Sequence, residues 1–315
     1  MIQVYISKYL SLILSFFILS ISLWVISLPV LMLLNYLLIY LTKYEKLISY
    51  SLAHQINMVI FLLPIIFTIV TTLKIVFTDI LVLIKDELLK EEDEIIILNL
   101  NETYKDLTSN DIVKMVNEVR SQLNCKMDIN ILRVKSNIFN AYAMSNLKGQ
   151  AAIVVYDGLY NSLSFEALKS VIGHEMGHII NKDTIFKLFN FSFQYNIVRF
   201  KNYSFIIMNF IQKMSNSIPF LGLFFLIYNL AYRLLVTITD LVLYINNMIQ
   251  YFGYKQFEYI ADNIGAKVTS NKIMIETLTI MKDLEDENKS DVNILMTLLS
   301  EHPKTENRIK KLKEG

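Results

Sequence analysis

The chain has 315 residues, 54% of them hydrophobic, with four histidines, one cysteine and a formal net charge of +1. A balance this close to neutral leaves no basic footprint for nucleic acid, which is therefore not expected as a partner. The lone Cys125 excludes an internal disulfide framework and a cysteine-rich metal site, and reads as a small buried apolar residue.

The apolar residues are concentrated in blocks. Between Tyr9 and Thr42 there is no charged side chain, a run longer than the roughly 20 residues that cross a hydrocarbon core. Lys8 precedes it, but the run is too long for a signal peptide and has no Ala-x-Ala-like exit, so a retained anchor is expected, with Pro29 as a kink. After Lys43, Glu45 and Lys46, a second uncharged run goes from Leu47 to Leu73, broken only by His54, Asn57 and Pro64. Residues 1–84 thus read as a membrane hairpin of two spans, about 10–40 and 50–80. His54 is either a packed interfacial histidine or a functional intramembrane group. The charges from Lys85 to Glu94 mark entry into water.

The next stretch reads as a strand at Ile95–Leu100. A helix follows, capped by Thr108 or Ser109, that buries Ile112, Val113, Met115, Val116, Val119 and Leu123. Strands are expected at Ile129–Val134 and Ala151–Tyr156. Between them, Asn140-Ala141-Tyr142-Ala143 is either an ordinary strand or an exposed edge that holds an extended peptide main chain to main chain.

Ser162 or Ser164 caps a helix from Phe165 to about Asn181, containing His174-Glu175-Met176-Gly177-His178. Two of the four histidines fall four residues apart, on one helix face, where both imidazoles reach one ion. Zinc suits two neutral imidazoles plus a carboxylate, with a fourth position open to water. Glu175 lies beside that position, able to take a proton from the water, which is the pattern of a metalloprotease. Gly173 and Gly177 each cost the helix roughly 1 kcal/mol relative to alanine, tolerable where another element or the substrate comes close.

From about 188 to 250 the chain is apolar again. Leu188–Gln212 carries Arg199 and Lys201, so it is either a span or an interfacial helix; Met214–Tyr232 is uncharged. A helix at about 248–270 then carries Glu258 and Asp262 four apart. After a His-Glu-x-x-His helix, such a pair suits a third metal ligand and an acceptor for the free N–H of a ligand histidine. An amphipathic helix over Ile273–Leu284, a short helix over Asn293–Leu299 and a basic tail complete the reading.

Asn140–Ala143, the strand Ala151–Tyr156 with Asp157-Gly158, His174–His178, Glu258-x-x-x-Asp262 and His302-Pro303 with Arg308 occur in one order. Together they resemble the HtpX and CaaX-prenyl-protease family of integral-membrane zinc metallopeptidases. The resemblance implies one zinc ion per chain held by His174, His178 and Glu258, with Glu175 as general base and Asp262 accepting from a ligand histidine. It also implies that His302 donates to the oxyanion, Arg308 orients the acidic helix, and Asn140 with Ala141, Tyr142 and Ala143 binds substrate backbone.

The expected fold is mainly α with a small β-sheet: a gluzincin-like peptidase domain at 85–315, interrupted by a membrane insert at about 188–250, with about four transmembrane helices in all. The expected partners are the bilayer and membrane-protein or peptide substrates. Lys8, Lys85, Lys90, Lys182, Lys187 and Lys255 face Lys43, Lys46 and Lys213 across that topology, an excess that puts the active site on the cytoplasmic side of a cell membrane. The expected activity is HtpX-like cleavage of damaged or unassembled membrane proteins. The alternatives are prenyl-protein processing and a zinc-binding scaffold without catalysis.

Overall fold

Four short apolar or alternating segments and four-residue spacing elsewhere produce a mainly helical chain with one small mixed sheet. A computed structural model of the protein describes residues 49–87, 94–216, 219–287 and 305–314, with 38–43 and a few single positions before them. The chain divides into two compact units, one of Ile75–Leu188 with Tyr251–Gly315, the other of Ile2–Lys74 with Phe189–Gln250.

The first unit holds the sheet. Strands β1 (Glu94–Leu98), β2 (Asp128–Lys135), β3 (Ala141–Ser145) and β4 (Gln150–Tyr156) lie in the order β1-β2-β4-β3. The central pair β2 and β4 is parallel, and both edges are antiparallel to their neighbours. Burial of both faces explains why β4 reads as a continuous apolar run rather than an alternation. Ile129, Ile131, Ala151, Ile153 and Val155 on one face share a core with Ile112, Met115 and Val116 of α3 (Leu107–Gln122). Leu168, Val171, Ile172, Met176 and Ile179 of α5 (Phe165–Ile180) complete that core. Toward β4 packs α2 (Ile80–Glu87), with Ile80, Leu83 and Ile84 buried.

Several boundaries differ from the sequence reading. The cap of α3 is Asp106, not Thr108 or Ser109. Its carboxylate accepts from the Ser109 N–H at 3.1 Å and also faces Arg133, a long-range partner that no local pattern shows. Strand β1 stops at Leu98 because Asn99 turns the chain, its side chain accepting from the Asn101 N–H at 3.0 Å. Asp157-Gly158 opens the short helix α4 (Asp157–Ser162). A Cβ on Gly158 would lie 2.4 Å from the Asn137 carbonyl oxygen, so only glycine lets α4 start there.

Arg133 on β2 binds both helix starts. It reaches Asp157 through Nε at 2.6 Å and Nη2 at 2.8 Å, and Asp106 through Nη1.

In the second unit, α1 (Tyr50–Val76) carries an exposed His54. Helices α6 (Asp183–Asn216) and α7 (Pro219–Val268) each contribute residues to both units. Where separate segments at Met214–Tyr232 and about 248–270 were expected, α7 is one helix of 50 residues. No proline or glycine lies between Arg233 and Met248 to break it.

Among the described residues no helix is long and apolar enough to cross a membrane, so the expected four or so spans are not confirmed there. Arg199 and Lys201 interrupt α6, and Arg233 and Asp240 interrupt α7, with Lys201 paired to Asp240. The run Tyr9–Thr42 lies largely outside the described residues, as does the expected helix at Asn293–Leu299. Helix α8 (Asn271–Glu287) matches the expected amphipathic segment and packs against α5 and α9 (Thr305–Glu314).

Candidate active site

The site is built where α5 meets α7. Ser164 caps α5, its hydroxyl accepting from the Ala167 N–H at 3.3 Å, and the helix is buried from Ala167 to Ile179. Burial on all sides follows from its place between the sheet core, α7 and α8. The crossing with α7 is close because small residues line it. A Cβ on Gly173 would stand 3.1 Å from the Gly265 Cα, one on Gly177 3.2 Å from the Ala261 Cα, and one on Gly265 2.6 Å from the Ser170 carbonyl oxygen. The glycines in the motif thus serve an approaching helix, and that approach brings Glu258 and Asp262 over His174 and His178.

Ligand atoms of His174, His178 and Glu258 lie within 4.8 Å of one another, and all three residues are buried. The His174 Nε2 is 3.4 Å from one Glu258 oxygen, the His178 Nε2 is 3.3 Å from the other, and the two Nε2 atoms are 3.2 Å apart. For bonds of about 2.0–2.1 Å, ligands at tetrahedral angles are separated by about 3.3 Å, so the donor set fits zinc in spacing and in chemistry.

The far side of each ring is occupied too. His174 Nδ1 is 2.9 Å from Asp262, and His178 Nδ1 is 3.1 Å from Asp183. A carboxylate on each Nδ1 holds the proton there and turns both Nε2 lone pairs toward the centre. Two facing lone pairs are relieved by a positive centre between them, a metal ion or, without one, a proton.

Burial opposes a charge on His174, but hydrogen bonds to Asp262 and Glu258 outweigh it and raise its pKa to about 9 when no metal is bound. His178 is raised as well, with burial opposed by Glu258 and Asp183. Burial likewise opposes the charge on Asp262, yet Arg308 prevails and holds its pKa at about 2. Arg308 on α9 grips Asp262 with both arms, Nε to Oδ2 at 2.8 Å and Nη2 to Oδ1 at 2.5 Å. The site sets the buried carboxylates of Glu175, Asp183, Glu258 and Asp262 against the buried Arg308 and the half-buried Lys187. With neutral imidazoles this leaves an excess of two negative charges, which one divalent ion cancels.

Glu175, only 6% exposed, follows His174 on α5 and acts electrostatically on Arg308. Asn140 stands just before β3 and gives its carbonyl to the Tyr156 N–H at 3.1 Å. Ala141, Tyr142 and Ala143 lie on β3, an edge of the sheet packed against α5. His302 lies outside the described residues.

Two residues of the site were not anticipated. From the sequence, Asp183 has no assigned role and Lys187 reads only as a membrane-flanking charge. Their four-residue spacing directly after the motif helix was the available sign. What brings them in is Lys182, whose φ of 59° turns the chain from α5 into α6.

The sequence pattern of peptidase family M48 matches residues 106–315. The chain belongs to this family. The resemblance carried by the five short motifs therefore extends through the part of the peptidase that contains the site, and the protein is an HtpX- and CaaX-protease-like member. A protease HtpX homologue of Neisseria meningitidis is 26% identical over 181 residues, covering 55% of this chain and 62% of the relative. One from Nostoc punctiforme is 35% identical over 74 residues, 24% of this chain and 25% of the relative. This M48 chain thus matches less than two thirds of the length of those relatives. The crystal structure of Ste24p from S. mikatae shares the fold, with a TM-score of 0.50 at 18% identity over 99% of this chain and 67% of that one.

Proposed function

We propose that this M48 peptidase is a zinc-dependent endopeptidase, with one Zn2+ held by His174, His178 and Glu258. The observation that carries the reading is the triangle of donor atoms 3.2–3.4 Å apart, with Glu175 next to it on the same helix. When bound, zinc supplies an electrophile that polarises the scissile carbonyl and makes a water acidic. Glu175 takes the proton of the attacking water and returns it to the leaving amine. Asp262 and Asp183 hold the imidazoles in the productive tautomer, and Arg308 keeps Asp262 charged and in place. His302 donates to the developing oxyanion. The edge of β3 beside α5 receives substrate main chain through Asn140–Ala143.

The substrates are membrane proteins that are damaged or unassembled, reached by an HtpX-like enzyme set in a cell membrane with its site toward the cytoplasm. Support for the membrane comes from the uncharged runs in the sequence and from the exposed apolar row Leu226, Leu230, Leu234, Ile238 and Leu241 along α7.

The test is zinc content and cleavage of a model membrane protein in detergent, wild type beside Glu175→Gln. Zinc in both with cleavage only by the wild type is the expected result. Cleavage by both removes Glu175 from the mechanism, and zinc in both without cleavage of this substrate or a prenylated peptide favours the scaffold.

A further inference from the structure

The mechanism above leaves one cation beside the metal centre unused. Lys187 extends from α6 with a side chain only 15% exposed, and its ammonium is 3.7 Å from Glu258 Oε1. The same ammonium lies 5.6 Å from the centre of the Tyr254 ring. Burial of a lysine is costly, and here the cost is met by a carboxylate on one side and an aromatic face on the other.

Spacing makes this placement part of the fold. Asp183 and Lys187 are one turn apart on α6, facing His178 and Glu258 respectively. Tyr254 and Glu258 are likewise one turn apart on α7. The Glu258 carboxylate therefore sits between two cations, Lys187 on Oε1 and Arg308 at 3.8 Å from Oε2.

We propose that Lys187 is a positioning residue of the metal centre. It draws charge from the Oε1 side of Glu258, so that this ligand donates weakly and more of the electrophilic strength of a bound dication is left for the substrate. A 3.7 Å ion pair holds orientation loosely, so its effect is electrostatic rather than that of a brace. Removing the ammonium takes a positive charge away from the dication, which favours metal retention while slowing turnover. The proposal rests on the zinc-peptidase reading.

The experiment compares full-length wild type, Lys187→Met and Lys187→Arg in detergent. It reads zinc affinity by chelator competition, the visible spectrum of the cobalt-substituted protein, kcat and KM on a peptide, and the melting temperature. In Lys187→Met we expect zinc held at least as tightly as in wild type, a shifted cobalt band, kcat lower by roughly tenfold or more and KM unchanged. Lys187→Arg should recover most of kcat. Zinc affinity falling together with melting temperature in Lys187→Met would show a bracing role and overturn the proposal. So would unchanged kcat with an unchanged spectrum. A wild type that binds no zinc removes the peptidase reading itself, and the role of Lys187 with it.

Discussion

Asp262 touches both halves of the centre, the His174 ring at 2.9 Å and the Arg308 guanidinium through two bonds. Its charge does two things: it keeps the His174 proton on Nδ1, and it satisfies a buried arginine. Asp262→Asn preserves the shape and removes the charge, so zinc affinity should weaken roughly 10–100-fold in a chelator competition. An unchanged affinity would mean that the ring is held by packing alone. Glu175 contributes through a different step, because it is not among the ligand atoms. Glu175→Gln should therefore keep a full equivalent of zinc while cleavage falls by roughly 10²–10⁴-fold. Loss of zinc in that variant would move Glu175 into the ligand set.

At the scale of elements, the site depends on how closely α5 and α7 cross. Gly265→Ala sets two effects against each other. Alanine favours the helix by roughly 1 kcal/mol, but its Cβ would stand 2.6 Å from the Ser170 backbone carbonyl, which moves only if the helices part. Overpacking of this kind costs about 1–3 kcal/mol, so the clash prevails. The variant should melt lower and hold less zinc; a higher melting temperature with full zinc would contradict the close crossing. A second clamp lies away from the site, where Arg133 joins β2 to the starts of α3 and α4. Arg133→Met leaves the partly exposed Asp157 without its cation and should cost about 1–3 kcal/mol in denaturant unfolding, the range for losing charge-assisted hydrogen bonds. Zinc stoichiometry should be unchanged in the protein that remains folded.

For the whole molecule, the placement in a membrane is open to a direct experiment. With Cys125 replaced by serine, single cysteines at Lys43 and at Lys272, whose side chain is 85% exposed, report the sidedness of the two units. Labelling from opposite sides of the membrane is expected, and same-side labelling would break the four-span topology. How much was legible in advance follows the same division by scale. The strands β2 and β4 and the helix α5 were readable because their patterns are local: a continuous apolar run between breaks, or a serine cap followed by four-residue spacing. The Asp106 cap and the continuity of α7 were not. The first is held by Arg133, far along the chain, and the second depends on the absence of any breaker over many residues.

The residues with metal-ligand chemistry and their order along the chain were determined by the sequence alone, because a four-residue spacing on a helix places side chains on one face whatever surrounds it. Which histidine nitrogen meets which carboxylate was decided only by the tertiary structure. A glycine-lined crossing brings α7 against α5, and the left-handed turn at Lys182 folds α6 back so that Asp183 and Lys187 close the site. Those contacts join residues from separate helices, and their geometry arises from packing that no local pattern encodes.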